Sequence, residues 1–336
     1  MATRGYNRYR GPRSKLKIAV SIGLILVISA AIAFLVIQNY IVYDDSGKAH
    51  LELPTRKTET STNTPAIPDD DVQIEYLEPE DTLLPVQELH ATQLIPGALK
   101  WSPEAVLSGA DEAMIIPVKL QNGSITYTSQ AEIPPEVSIE QENTMANLQT
   151  LLASDHYTIA RMSSLCDSYF VRAYHDASLL QDNGDFWYDY EGYAWLNPTD
   201  PRVLNYLSGL CQEYSQLGFD EIMLDRFCYP TNGNLNVMVV DADLDRVQVL
   251  QDFAKSLRSA LPEETALSIV LRSDLSPESG LSVEMLTECF DRIYLTPDMD
   301  AAALLDLLPE DYDSAVRVVQ MVYTPPESGS YAVVVG

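Results

Sequence analysis

The 336-residue chain carries 49 acidic against 21 basic residues, a net charge of −28, with 46% apolar residues and four cysteines. So acidic a surface repels nucleic acid and anionic membrane surfaces alike. The length suffices for one large core.

The charge is unevenly distributed along the chain. Residues 1–17 contain six basic residues (Arg4, Arg8, Arg10, Arg13, Lys15, Lys17) and no acidic one, and an uncharged run from Ile18 to Ile37 follows. At about 1.5 Å rise per residue such a run spans about 30 Å, the hydrocarbon thickness of a bilayer. It predicts a single-pass transmembrane helix at 18–37 with the basic tail in the cytoplasm and the rest of the chain outside. The alternative is a signal peptide cleaved after Ala31-Ile32-Ala33, although apolar residues continue through Phe34, Leu35, Val36 and Ile37. Both readings place the remainder beyond the cell membrane. That remainder holds all 49 acidic residues against 15 basic ones, a charge of −34. Such a charge suits neutral glycans or solubility near an anionic cell wall.

Residues 44–89 are rich in Thr, Pro, Asp and Glu and lack the large apolar groups a core requires, so they read as an extracytoplasmic linker. Pro54, Pro65 and Pro68 argue against a helical stalk.

The remaining residues, 90–336, are close to the length of roughly 250 typical of a (β/α)8 TIM barrel. Strands are expected at 91–95, 113–119, 157–165, 221–227, 266–271, 292–296, 315–322 and 331–335. Helices are expected at 103–107, 144–152, 201–217, 244–261, 283–290 and 301–308. The helix at 201–217 is the clearest, with Val203, Leu204, Leu207, Leu210, Cys211, Tyr214 and Leu217 on one face and Pro201 suited to the first turn. The link at 323–330 is shorter than the dozen or so residues of a usual parallel crossover, which predicts imperfect closure at the last strand.

The stretch GFDEIMLDRFCYP, Gly218 to Pro230, puts Asp225 near the C-terminal end of the fourth strand, where such barrels keep their chemistry. The same position is open to a turn-forming aspartate. Phe186, Trp187, Tyr188, Tyr190, Tyr193 and Trp195 crowd a loop after strand three, where aromatic faces can pack on sugar rings and Asp189 and Glu191 can accept hydroxyl hydrogen bonds. A purely structural use of Trp187 and Trp195 is to pin that loop to the barrel. The histidines His50, His90, His156 and His175 have no metal-ligand spacing, and neither a phosphate-binding loop nor a nucleophile elbow is present. No cofactor or metal is expected.

Four segments carry a family resemblance. MIIPVKLQNGSITY (114–127), YTIARMSSLCD (157–167), WYDYEGYAWLNP (187–198) and GFDEIMLDRFCYP resemble, in the same order, the signature pieces of a glycoside hydrolase domain family of membrane-anchored or secreted bacterial proteins. The resemblance implies a TIM barrel with a glycan-facing cleft. It also implies Asp225 as catalytic carboxylate, with Arg161, Tyr127, Lys119, Trp187, Asp189, Trp195, Asn197, Arg226 and Tyr229 as substrate-binding residues. Hydrolysis by two carboxylates needs a second carboxyl about 5 to 10 Å from the first. The end of strand six offers Asp298.

The chain departs from the family at strand ends. Pro117 and Leu120 stand where its second strand carries aspartates, Cys166 where its third ends in lysine, and Arg226 and Cys228 where tyrosine and arginine follow the strand-four aspartate. Two functions are therefore open: a glycoside hydrolase acting on polysaccharide, or a catalytically degenerate barrel that binds glycan or a cell-envelope partner. A disulfide between Cys166 and Cys228, on neighbouring strands, would favour the second.

Overall fold

A computed structural model describes residues 41–43, 49–51, 88–134, 137, 144–272 and 275–334. The expected membrane span and most of the expected linker lie outside the described residues. Within residues 1–76, strands Ile41–Tyr43 and Ala49–Leu51 pair antiparallel, so part of the expected linker is regular backbone.

The second unit contains a closed barrel of eight parallel strands. They are β1 (His90–Gln93), β2 (Ala113–Lys119), β3 (Tyr157–Ser163), β4 (Glu221–Asp225), β5 (Ala266–Leu271), β6 (Arg292–Leu295), β7 (Val318–Val322) and β8 (Tyr331–Val333). The helices are α1 (Pro103–Leu107), α2 (Thr144–Leu152), α3 (Phe170–Ala173), α4 (Pro201–Leu217), α5 (Arg246–Ser259), α6 (Val283–Cys289), α7 (Ala301–Leu305) and α8 (Ser314–Arg317). Helix α4 starts where the Asp200 carboxylate accepts from the Arg202 amide and ends at Gly218, whose φ of 98° a β-carbon would disfavour.

Closure is complete, contrary to the imperfect seam expected from the short link at 323–330. Strand β8 pairs in parallel with both β7 and β1. The register explains why: Gln320 lies opposite Tyr331 and Val322 opposite Val333, so the chain has to return by only a few residues of rise. Eight extended residues reach about 26 Å, which is ample.

Period-two alternation sorts the strand side chains into two cores. Ala91, Ala113, Ile115, Ile159, Met223, Val270, Tyr294, Val319 and Met321 fill the barrel interior. Their neighbours in sequence, such as Met114, Ile116, Ala160, Ile222, Leu224, Ile269 and Ile293, pack outward in the larger core shared with the helices. Polar residues interrupt the interior at both ends. At the N-terminal end Glu221 accepts from Arg292 Nη1 at 2.5 Å, Tyr294 at 2.8 Å and Tyr157 at 3.1 Å, with Arg292 and Glu221 both buried. The other end holds the candidate site.

Candidate functional site

Two steps of alternation beyond Met223 and Val270 bring Asp225 and Arg272 to the C-terminal mouth of the barrel. The Asp225 carboxylate, 5% exposed, lies between guanidinium groups from both neighbouring strands. Arg161 of β3 donates to Oδ2 through Nε at 3.1 Å and Nη2 at 2.6 Å. Arg272, just past β5, donates to Oδ1 through Nε and to Oδ2 through Nη2 at 2.9 Å. Arg161 also donates through Nη1 to Gln93 Oε1 at the end of β1. Burial alone would push the Asp225 carboxyl up, but the two guanidiniums outweigh it and hold the group well below the usual carboxylate range.

A cleft of about 430 Å³ opens over the β1 to β4 side of this cluster, lined by Gln93, Lys119, Asn122, Arg161, Tyr193 and Asp225 among others. Lys119 forms part of its wall, but its ammonium is committed elsewhere. Nζ lies 2.9 Å from Asp167 Oδ2, with neither side chain exposed, and donates to the Ser163 carbonyl at 2.7 Å. Asp167 also accepts from Tyr206 at 3.0 Å and from the amides of Tyr169 and Phe170 that open α3. Gly123 allows this packing: its φ is 94°, and a β-carbon there would meet Asp167 Oδ1 at 1.9 Å.

The aromatic loop is pinned by its tryptophans. Trp187 Nε1 donates to the Asn234 carbonyl and Trp195 Nε1 to Asp189 Oδ2, and both rings are buried. The other Asp189 oxygen accepts from the amides of Glu191 and Tyr193, so Asp189 shapes the loop. Tyr193 remains on the cleft wall, and Tyr188 and Tyr190 are exposed. Arg226 is not among the residues lining the cleft; its φ is 55°, a left-handed conformation no other described non-glycine residue adopts. It is buried, donates to Glu191 Oε2 at 2.8 Å and stacks over the Tyr193 ring at 5.9 Å.

Several residues expected at the cleft lie elsewhere. Tyr127 is fully buried and donates to Glu213 Oε2 of α4 at 2.8 Å, because an antiparallel bridge between Lys119 and Ile125 turns the chain back toward the outer core. Asn197 accepts from the amide and hydroxyl of Thr199 and shapes the turn into α4. Tyr229 is buried under the Arg246 guanidinium at 5.2 Å. Cys166 and Cys228 are both buried, and no disulfide joins them. Asp298 is exposed beyond β6, and a Thr296 hydrogen bond, with Arg272 a smaller contributor, holds its carboxyl below the usual range.

Chemically, the mouth offers an ionised carboxylate whose oxygens are both engaged by arginine. A general acid needs a carboxyl that stays protonated near neutral pH, and Asp298 is shifted the opposite way. Among the described residues no His, Cys, Asp and Glu grouping could hold a metal ion.

The fold and the site at its C-terminal mouth define a glycoside-hydrolase-like parallel barrel. The chain belongs to the family described as "putative glycosyl hydrolase domain", whose model matches residues 90–271. Among solved structures it is similar to a hypothetical protein from Ruminiclostridium thermocellum, at 22% identity over 54% of this chain and 96% of that one, with a TM-score of 0.45. It is also similar to the glycoside hydrolase domain of PelA from Pseudomonas aeruginosa, at 14% identity over 71% and 85% with a TM-score of 0.41. The α-galactosidase of Thermus thermophilus is 10% identical over 61% of this chain and 40% of its own, with a TM-score of 0.41. No curated protein matches the sequence.

Proposed function

We propose that the barrel binds a neutral polysaccharide, of the cell envelope or its surroundings, at its C-terminal face without cleaving it. A transmembrane helix at 18–37 anchors it, with residues 1–17 in the cytoplasm and the barrel outside. The observation that carries the binding reading is the state of Asp225: 5% exposed and held by two arginines, it is positioned to order the cleft floor and poorly placed to attack a sugar carbon. Gln93, Asn122 and Tyr193 supply the hydroxyl-binding groups of the wall. The strong negative charge favours a neutral glycan over an anionic one.

A second reading, hydrolysis, draws on the family and on one local fact. The Glu191 carboxylate accepts from Arg226, the residue that follows Asp225, so a second carboxylate is held next to the end of β4. The purified full-length protein, incubated with insoluble polysaccharides, separates the two. Retention without new reducing ends supports binding; release of reducing ends that is lost in Asp225→Asn establishes hydrolysis. Proteolysis of intact cells tests the orientation, since an exterior barrel is digested while the tail is protected.

A further inference from the structure

The cleft beside Asp225 occupies one half of the barrel mouth. On the opposite half, at the C-terminal ends of β6 and β7, a second cavity of about 250 Å³ is lined by Leu295, Thr296, Met299, Gln320, Met321 and Tyr323 among others. Its chemistry differs from that of the first. Leu295, Met299 and Met321 give an apolar floor, Gln320 and Thr296 give polar edges, and Tyr323 stands at the rim 65% exposed. The cavity is open for a structural reason. The described residues place no helix between β7 and β8, so the outward side chain Gln320 is exposed on a strand whose other positions are covered or half-covered.

We propose that this β6–β7 cavity is a second sugar subsite, with the Tyr323 ring as its stacking face, and that the barrel therefore binds an oligosaccharide laid across the mouth. This rests on the glycan-binding reading above and adds the length of the ligand and a second contact. Aromatic rings with apolar floors and a few polar edge groups recognise the C–H faces and hydroxyls of neutral pyranoses. The strand order relates the two sites: the first cleft lies over the ends of β1 to β4, the second at the ends of β6 and β7, and Arg272, bonded to Asp225, stands just past the end of β5 between them. The cavity carries no basic residue among its lining groups, which disfavours an anionic ligand.

Calorimetric titration of the full-length protein with one- to six-unit oligomers of N-acetylglucosamine and, separately, of glucose tests the assignment. Affinity is expected to rise with length until both cavities are filled. Tyr323→Ala should weaken the longer oligomers about five- to tenfold while leaving the shortest bound species unchanged, and Tyr323→Trp should restore the loss. Tyr323 is exposed, so neither variant threatens folding. Oligomer binding that ignores both length and Tyr323→Ala overturns the second subsite and leaves the first cleft standing. No binding of either series removes the glycan reading and the subsite together. Binding of an apolar peptide in the cavity, with oligosaccharides excluded, overturns the subsite alone.

Discussion

Asp225→Asn separates an aspartate that holds the mouth together from one kept for attack on a substrate. The substitution preserves shape but removes the charge that two guanidiniums share, and Asn presents an NH2 group where one guanidinium needs an acceptor. Removing one partner of a buried pair costs about 3–5 kcal/mol. Arg161 is 14% exposed and Arg272 30%, so water screens the second cation and the lower end of that range applies. A loss of about 3 kcal/mol corresponds to about 6–12 °C in Tm for a domain of this size. The folded-state pKa of Asp225 lies below the unfolded value of about 3.9, so its stabilisation is complete above that pH and fades as pH falls beneath it. Urea unfolding of both proteins at pH 7, 5 and 3 should show a gap that is wide at the first two values and narrower at pH 3. Adding Arg272→Gln to Asp225→Asn should recover part of the loss by removing one orphaned cation. A gap below about 1 kcal/mol at pH 7, or one that does not narrow at pH 3, would refute the keystone role of Asp225.

Gly123→Ala places a β-carbon 1.9 Å from Asp167 Oδ1 at a φ of 94°, so thermal unfolding should show a loss of more than about 3 kcal/mol. Tyr127→Phe removes the bond to Glu213 and should cost about 1–2 kcal/mol by chemical denaturation, with glycan retention unchanged because the ring lies outside the cleft. Non-reducing peptide mapping should find no linked Cys166 and Cys228. Alkylation of the native protein should be slow, since burial pushes the Cys166 thiol up and that of Cys211 up to about 12, and denaturation should release all four thiols.

The barrel was legible because its strands announce themselves locally. The ranges 113–119 and 266–271 coincide with β2 and β5, and 103–107, 144–152 and 201–217 coincide with α1, α2 and α4. Asp225 was legible from its place near the end of the fourth strand and Arg161 from the family motif; in the structure alternation turns both toward the barrel mouth, where they pair. Tyr127 and Asn197 were misplaced because a motif fixes the order of residues but not the direction of the chain once it has left the strand. At 127 the backbone has already folded back through the Lys119–Ile125 bridge, and at 197 it is turning into α4.

Arg272 was missed although its strand carried the signal. In ALSIVLR, counting by two from Ser268 through Val270 reaches Arg272, so an inward-facing cation at the mouth follows from the same alternation that places Met223 before Asp225. What no single stretch of sequence shows is the pairing. Arg161 and Arg272 lie 64 and 47 positions from Asp225 and belong to strands on either side of it, so the clamp exists only once β3, β4 and β5 are neighbours. The same holds at the other end of the barrel, where Glu221 meets Arg292 across 71 positions. Each pair places its charges where the apolar interior ends. The two charged ends therefore tie strands together at the places where apolar packing alone would leave the barrel open to water.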